Sequence, residues 1–185
     1  TLNPGEEVII PAPYWVSYKD ITTFAEGTPV IVKCRQENDF KLSPEQLEAA
    51  ITPQRKWLFL NSPSNPTGAA YSEAELKALA DVLMRHPQVL IFADDIYEHI
   101  YWGEAPYRTL LNVCPELAER TVIVNGVSKG YAMTGWRVGY CAAPAPLIKA
   151  MFLVLQQSSR GPATFIQDAA AAALSGDQQP VEADR

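Results

Sequence analysis

Five consecutive apolar residues, Val89-Leu90-Ile91-Phe92-Ala93, lack the alternation of a strand with one wet face. Such a strand is covered on both sides, so the chain needs helices above and below its sheet. The apolar runs Val8-Ile9-Ile10, Pro29-Val30-Ile31-Val32, Trp57-Leu58-Phe59-Leu60 and Val122-Ile123-Val124 read as further strands, and one more follows Arg137. Pro11 and Pro13 close the first of these runs. Between them, Ser43-Pro44-Glu45-Gln46 and Ser72-Glu73-Ala74-Glu75 are capping boxes that open helices. The second continues with Leu76, Leu79, Ala80 and Leu83 on one face, and stops at Arg85-His86 before Pro87. Residues 14–26 (ended by Gly27), 144–157 and 162–174 read as helices, and 109–120 as partly helical. Strands alternating with capped helices define the fold class as α/β, a mainly parallel sheet with helices on both faces. One domain fills residues 1–175, and 176–185 read as a polar tail.

The length of 185 residues suits one core. With 48% hydrophobic and 19% charged residues the chain folds, and a net charge of −6 argues against nucleic-acid and anionic-membrane surfaces. No apolar run is long enough for a bilayer. Cys34, Cys114 and Cys141 have neither metal spacing nor a disulfide framework, which fits a reducing cytoplasm. The chain opens at Thr1 in a way that suggests a fragment.

In open parallel sheets, ligand sites lie beyond the carboxyl ends of the strands. Three polar groups follow strands here. Asn65 lies in Asn61-Ser62-Pro63-Ser64-Asn65-Pro66-Thr67-Gly68, Asp94 follows Ala93, and Lys129 follows the run ending at Val124. Each alone has a plainer reading: a turn for Asn65, a helix cap for Asp94 or Asp95, a solvated loop residue for Lys129. A lysine between two buried strands must be paired or lose its charge, and a neutral amine is what attacks a carbonyl. An amide, a carboxylate and a lysine at three strand ends make a constellation.

In order and separation, these residues resemble the fold-type I pyridoxal-phosphate aminotransferases. The likeness rests on Asn65-Pro66-Thr67-Gly68, Asp94 with Tyr97, and Ser128-Lys129 with Gly135-Trp136-Arg137-Val138-Gly139. The run from Pro11 to Tyr18, and Asp94-Asp95-Ile96-Tyr97-Glu98-His99, bring it closer to the aspartate and prephenate subgroup. The resemblance spans nearly the whole chain, from about Asn3 to about Leu174, as the central part of the large cofactor-binding domain.

The resemblance implies a role for each residue. Lys129 carries the pyridoxal 5′-phosphate aldehyde on its amine and then moves a proton on the substrate. Asp94 pairs with the pyridine nitrogen, Tyr97 and Asn65 hold the ring oxygen, and Ser128 and Arg137 hold the phosphate. Trp15 lies on the ring face, with an ordinary core aromatic as the plainer alternative. Gly135 and Gly139 read as close-approach or turn glycines, and Tyr14, His86 and His99 as structural. No metal is implied.

The resemblance further implies a ping-pong transaminase for L-aspartate and 2-oxoglutarate, cytoplasmic and homodimeric in full length. Alternatives are an aromatic or prephenate aminotransferase, an elimination or decarboxylation on the same cofactor, and a non-catalytic sensing domain of a transcription regulator. Relatives often carry serine three positions before the lysine, where this chain has Gly126. Their phosphate loop and the tyrosine reaching the phosphate from the other subunit, like the substrate-carboxylate arginine, are expected outside residues 1–185. The isolated fragment is therefore expected to bind cofactor poorly.

Overall fold

The computed structural model describes residues 1–183. Six strands form one sheet: β1 (Glu7–Ala12), β2 (Thr28–Lys33), β3 (Arg55–Asn61), β4 (Leu90–Asp94), β5 (Thr121–Gly126) and β6 (Gly139–Ala142). Their order is β2-β1-β3-β4-β5-β6. The first five are parallel to their neighbours and β6 is antiparallel to β5, as a mainly parallel sheet requires. The helices are α1 (Ser17–Phe24), α2 (Pro44–Ala50), α3 (Glu73–Arg85), α4 (Leu110–Val113), α5 (Val127–Gly130), α6 (Ala145–Gln157), α7 (Thr164–Ser175) and α8 (Gln179–Ala183).

The capping boxes form as the sequence directs. Ser43 accepts from the Gln46 amide and Ser72 from the Glu75 amide, with both side chains reaching back. Leu76, Leu79 and Leu83 of α3 then bury against Ile9, Leu58, Leu60 and Ile91. Each leucine so buried contributes about 1.5–3 kcal/mol of transfer free energy. On the other face Val8, Ile10, Trp57 and Val122 pack with Tyr18 of α1.

Four expectations are corrected. Leu90 and Phe92 are only partly buried, and Phe92 lines an apolar cavity of about 250 Å³ with Leu2, Ile21, Leu147 and Met151, so this face of β4 is more open than its sequence implies. Pro11 does not close β1 but lies within it, opposite Val32. β1 pairs with β3 only as far as Ile9, so near Pro11 the strand is an edge on that side, where a missing N–H is tolerated. α1 starts at Ser17 rather than residue 14, and Glu26, at φ 63°, makes the left-handed turn that stops it, ahead of Gly27. Residues 176–183 are not a ragged tail: α8 buries Val181, and Gln178 accepts from the Tyr131 hydroxyl. Residues 184 and 185 lie outside the described residues.

Candidate active site

Register aligns the carboxyl ends of three strands. Asn61 pairs with Asp94, and Asp94 with Val124, so the loops after β3, β4 and β5 leave the sheet side by side. A cavity of about 260 Å³ opens there. It is lined by Trp15, Asn65, Asp94, Tyr97 and Lys129, together with Tyr18, Asn61, Ile96 and Val124. Five of the seven residues expected at the site therefore converge.

Asp94 lies at the floor, half-buried at the end of β4. Burial pushes its carboxyl above the ordinary range, while hydrogen bonds from the Tyr18 hydroxyl and the Ile96 amide act in the opposite direction. The Tyr18 bond is short, 2.5 Å to Oδ2, and the Ile96 amide reaches Oδ1 at 3.3 Å. The second bond is the local turn contact that a plain capping role for Asp94 implies, but no helix follows, so the carboxyl faces the cavity as well. Burial, and then the Asp94 carboxyl, raise the Tyr18 hydroxyl far above its ordinary value, so Tyr18 stays a donor. Its ring is gripped edge-on by Phe59 at 5.3 Å, Phe92 at 6.4 Å and Trp15 at 5.6 Å between centroids.

Asn65 and Tyr97 form a pair, Nδ2 to the hydroxyl at 3.3 Å. Asn61 sets this pair relative to the floor: its Nδ2 donates to the Asp94 carbonyl and its Oδ1 accepts from the Asn65 amide, each at 2.8 Å. Trp15 stands exposed at the rim. Sequence reasoning missed Tyr18 and Asn61. For Asn61 the signal was its place as the last residue of a strand before a turn-rich loop. For Tyr18 it was a hydroxyl on the buried face of a helix, which needs a partner.

Lys129 corrects the burial argument. It sits on the one-turn α5, where the chain leaves β5, and is exposed rather than buried between strands. Its Nζ lies 5.7 Å from the Tyr97 ring centroid, so position and not desolvation brings it to the site. Ser128 and Arg137 do not line the cavity. Arg137 is exposed, left-handed at φ 53°, and donates from Nη1 to the Thr134 carbonyl at 2.9 Å. Ser128 is partly buried beside Lys129.

The glycines divide. A Cβ on Gly126 would lie 3.0 Å from the Gly139 Cα and 3.1 Å from the Val138 carbonyl oxygen, and one on Gly139 would lie 3.1 Å from the Asn125 oxygen. Close approach of β5 and β6 thus explains glycine at 126, and Gly139 is a close-approach glycine. Gly135 has open space, which leaves the turn reading. Among the described residues no cluster of His, Cys, Asp or Glu could hold a metal, and no helix is long and apolar enough to cross a membrane.

The family model described as aminotransferase class I and II matches residues 1–185. The chain is 59% identical over 179 residues to the aspartate/prephenate aminotransferase of Cereibacter sphaeroides, covering 97% of this chain and 45% of that protein. It superposes with a TM-score of 0.96 on the crystal structure of the aspartate aminotransferase from Rhizobium meliloti, at 50% identity, over 98% of this chain and 46% of the other. An aromatic aminotransferase from Pyrococcus horikoshii superposes at 0.93 with 38% identity, covering 98% of this chain and 49% of its own. The chain thus spans about half the length of the relatives it matches.

Proposed function

The chain belongs to the class I and II aminotransferases, and on that premise we propose that it is the central part of the cofactor domain of a transaminase using pyridoxal 5′-phosphate. Aspartate is the amino donor and 2-oxoglutarate the acceptor, in a ping-pong exchange. What carries the reading is the convergence of Lys129, Asp94, Tyr97, Asn65 and Trp15 on one cavity from three strand ends and the start of α1.

The donor set suits the cofactor. A carboxylate at the floor matches a pyridinium nitrogen, an amide paired with a phenol matches a ring oxygen, an indole at the rim matches a flat ring, and a free-reaching amine matches an aldehyde. Bound pyridoxal phosphate supplies an electron sink for the charge left on the substrate carbon. Asp94, held by Tyr18, keeps a negative charge toward the ring nitrogen. Tyr97 and Asn65 orient the ring and Trp15 shields its face. Lys129 holds the cofactor at rest, and its amine then takes and returns the substrate proton. Arg137 and Ser128 would hold the phosphate, Arg137 through the fork of its guanidinium. The whole protein is a cytoplasmic homodimer.

A second reading, prephenate as acceptor, is favoured by the name of the Cereibacter relative. The test is chemical. The protein is mixed with pyridoxal phosphate, reduced with borohydride and digested. One adduct on Lys129, absent from Lys129→Ala and displaced by pyridoxamine phosphate, supports the reading. Scattered labelling of surface lysines in the full-length protein refutes it. Initial rates with 2-oxoglutarate and with prephenate then separate the two acceptors.

A further inference from the structure

A second buried carboxyl lies next to the site without a part in the chemistry above. Asp95 is 6% exposed, directly after β4. It faces the Tyr107 hydroxyl at 3.4 Å, and that hydroxyl lies 2.7 Å from the Ser62 carbonyl oxygen. A phenol has one proton to give. The shorter contact takes it, so Tyr107 donates to Ser62, and the Asp95–Tyr107 contact is a hydrogen bond only if Asp95 brings a proton of its own. Ser62 is itself buried, and its Oγ accepts from the Tyr71 amide at 3.2 Å. Three residues on lies Asn65.

We propose that Asp95, in its neutral carboxylic-acid form, donates to Tyr107 and so completes a chain of hydrogen bonds that anchors the Ser62 carbonyl, three residues before Asn65 on the same loop, and leaves Asp94 to carry the negative charge. Asp95 is a positioning residue: its side chain does not line the cavity. The surroundings agree with the proton count. Burial first, and then the Glu98 carboxylate, raise Asp95 to about 7; the contact with the Tyr107 hydroxyl acts in the opposite direction, and the Asp94 carboxylate adds a smaller rise. Glu98 accepts from Asn125 at 2.7 Å and lies 3.5 Å from the His99 ring. Above that pH Asp95 loses its proton, Tyr107 is drawn between two acceptors, and the hold on the loop carrying Asn65 weakens. The proposal rests on the transaminase reading only for the purpose of Asn65 and Asp94, and its test needs no cofactor.

The test is an NMR titration of the full chain labelled with ¹³C at aspartate carboxyls and ¹⁵N at asparagine side chains, from pH 4.5 to 8.5. The carboxyl signal missing from Asp95→Asn is expected to titrate with a midpoint near 7, and the Asn65 side-chain amide to shift with the same midpoint. In Asp95→Asn, whose amide still donates to Tyr107, the Asn65 signal stays flat. Tyr107→Phe, which keeps Asp95 and cuts the link, also uncouples the two signals and serves if the first variant does not fold. An Asp95 midpoint in the ordinary carboxylate range overturns the proposal. So does an Asn65 signal that ignores the Asp95 titration, or one that still follows it in Tyr107→Phe.

Discussion

Replacing Tyr18 by Phe removes one hydrogen bond and little else, and its cost depends on pH in a calculable way. The ring is 4% exposed and packs edge-on against Phe59, Phe92 and Trp15, contacts that phenylalanine keeps. What goes is the 2.5 Å bond to Asp94. A hydrogen bond to a charged group is worth about 1.5–3 kcal/mol and one between neutral groups about 0.5–1.5 kcal/mol. Burial raises the Asp94 carboxyl above its ordinary value of 3.8. The folded state therefore holds that proton more tightly than the unfolded chain, so the contribution of Asp94 to stability is full below about 3.8 and is lost as pH rises through the folded value. Tyr18 restrains that loss by favouring the anion. Tyr18→Phe should thus cost about 1.5–3 kcal/mol at pH 7.5 but only about 0.5–1.5 kcal/mol near pH 4. The difference of roughly 1–1.5 kcal/mol corresponds to a further rise of the Asp94 midpoint when the Tyr18 donor is lost. Urea unfolding of both proteins at the two pH values measures it. An equal loss at both, or a larger one near pH 4, refutes the assignment of Tyr18 as the donor that keeps Asp94 charged.

Three other perturbations test the frame around the site. Asn61→Ala removes two 2.8 Å bonds, to the Asp94 carbonyl and from the Asn65 amide; a loss of about 1–3 kcal/mol in urea unfolding is expected, together with weaker pyridoxal phosphate binding by fluorescence titration. Gly126→Ser places a Cβ 3.0 Å from the Gly139 Cα; the crowding costs about 1–3 kcal/mol, and an unchanged thermal midpoint would show that β6 moves away freely. Leu58→Ala empties a fully buried position under α3 and should cost about 2–5 kcal/mol by the same unfolding assay, with m-value unchanged.

What the residues determined without a folded structure was chiefly local. The capping boxes at Ser43 and Ser72 need only four neighbouring residues to form, so they were legible, as was the leucine face of α3. The strand-then-polar-residue pattern at Asn65, Asp94 and Lys129 was legible too, because open parallel sheets put ligands beyond strand ends. The tertiary structure decided what depends on partners far along the chain. The register pairing Asn61 with Asp94 and Asp94 with Val124 makes three loops into one cavity, and no residue states that register locally. Tyr18 reads as a packed helix residue until Asp94, 76 positions away, becomes its acceptor. Lys129 shows the converse. Between two apolar runs it looked buried, but the single turn of α5 carries it to the surface, because a side chain's burial depends on how the chain turns after the strand and not on the hydrophobicity of its neighbours.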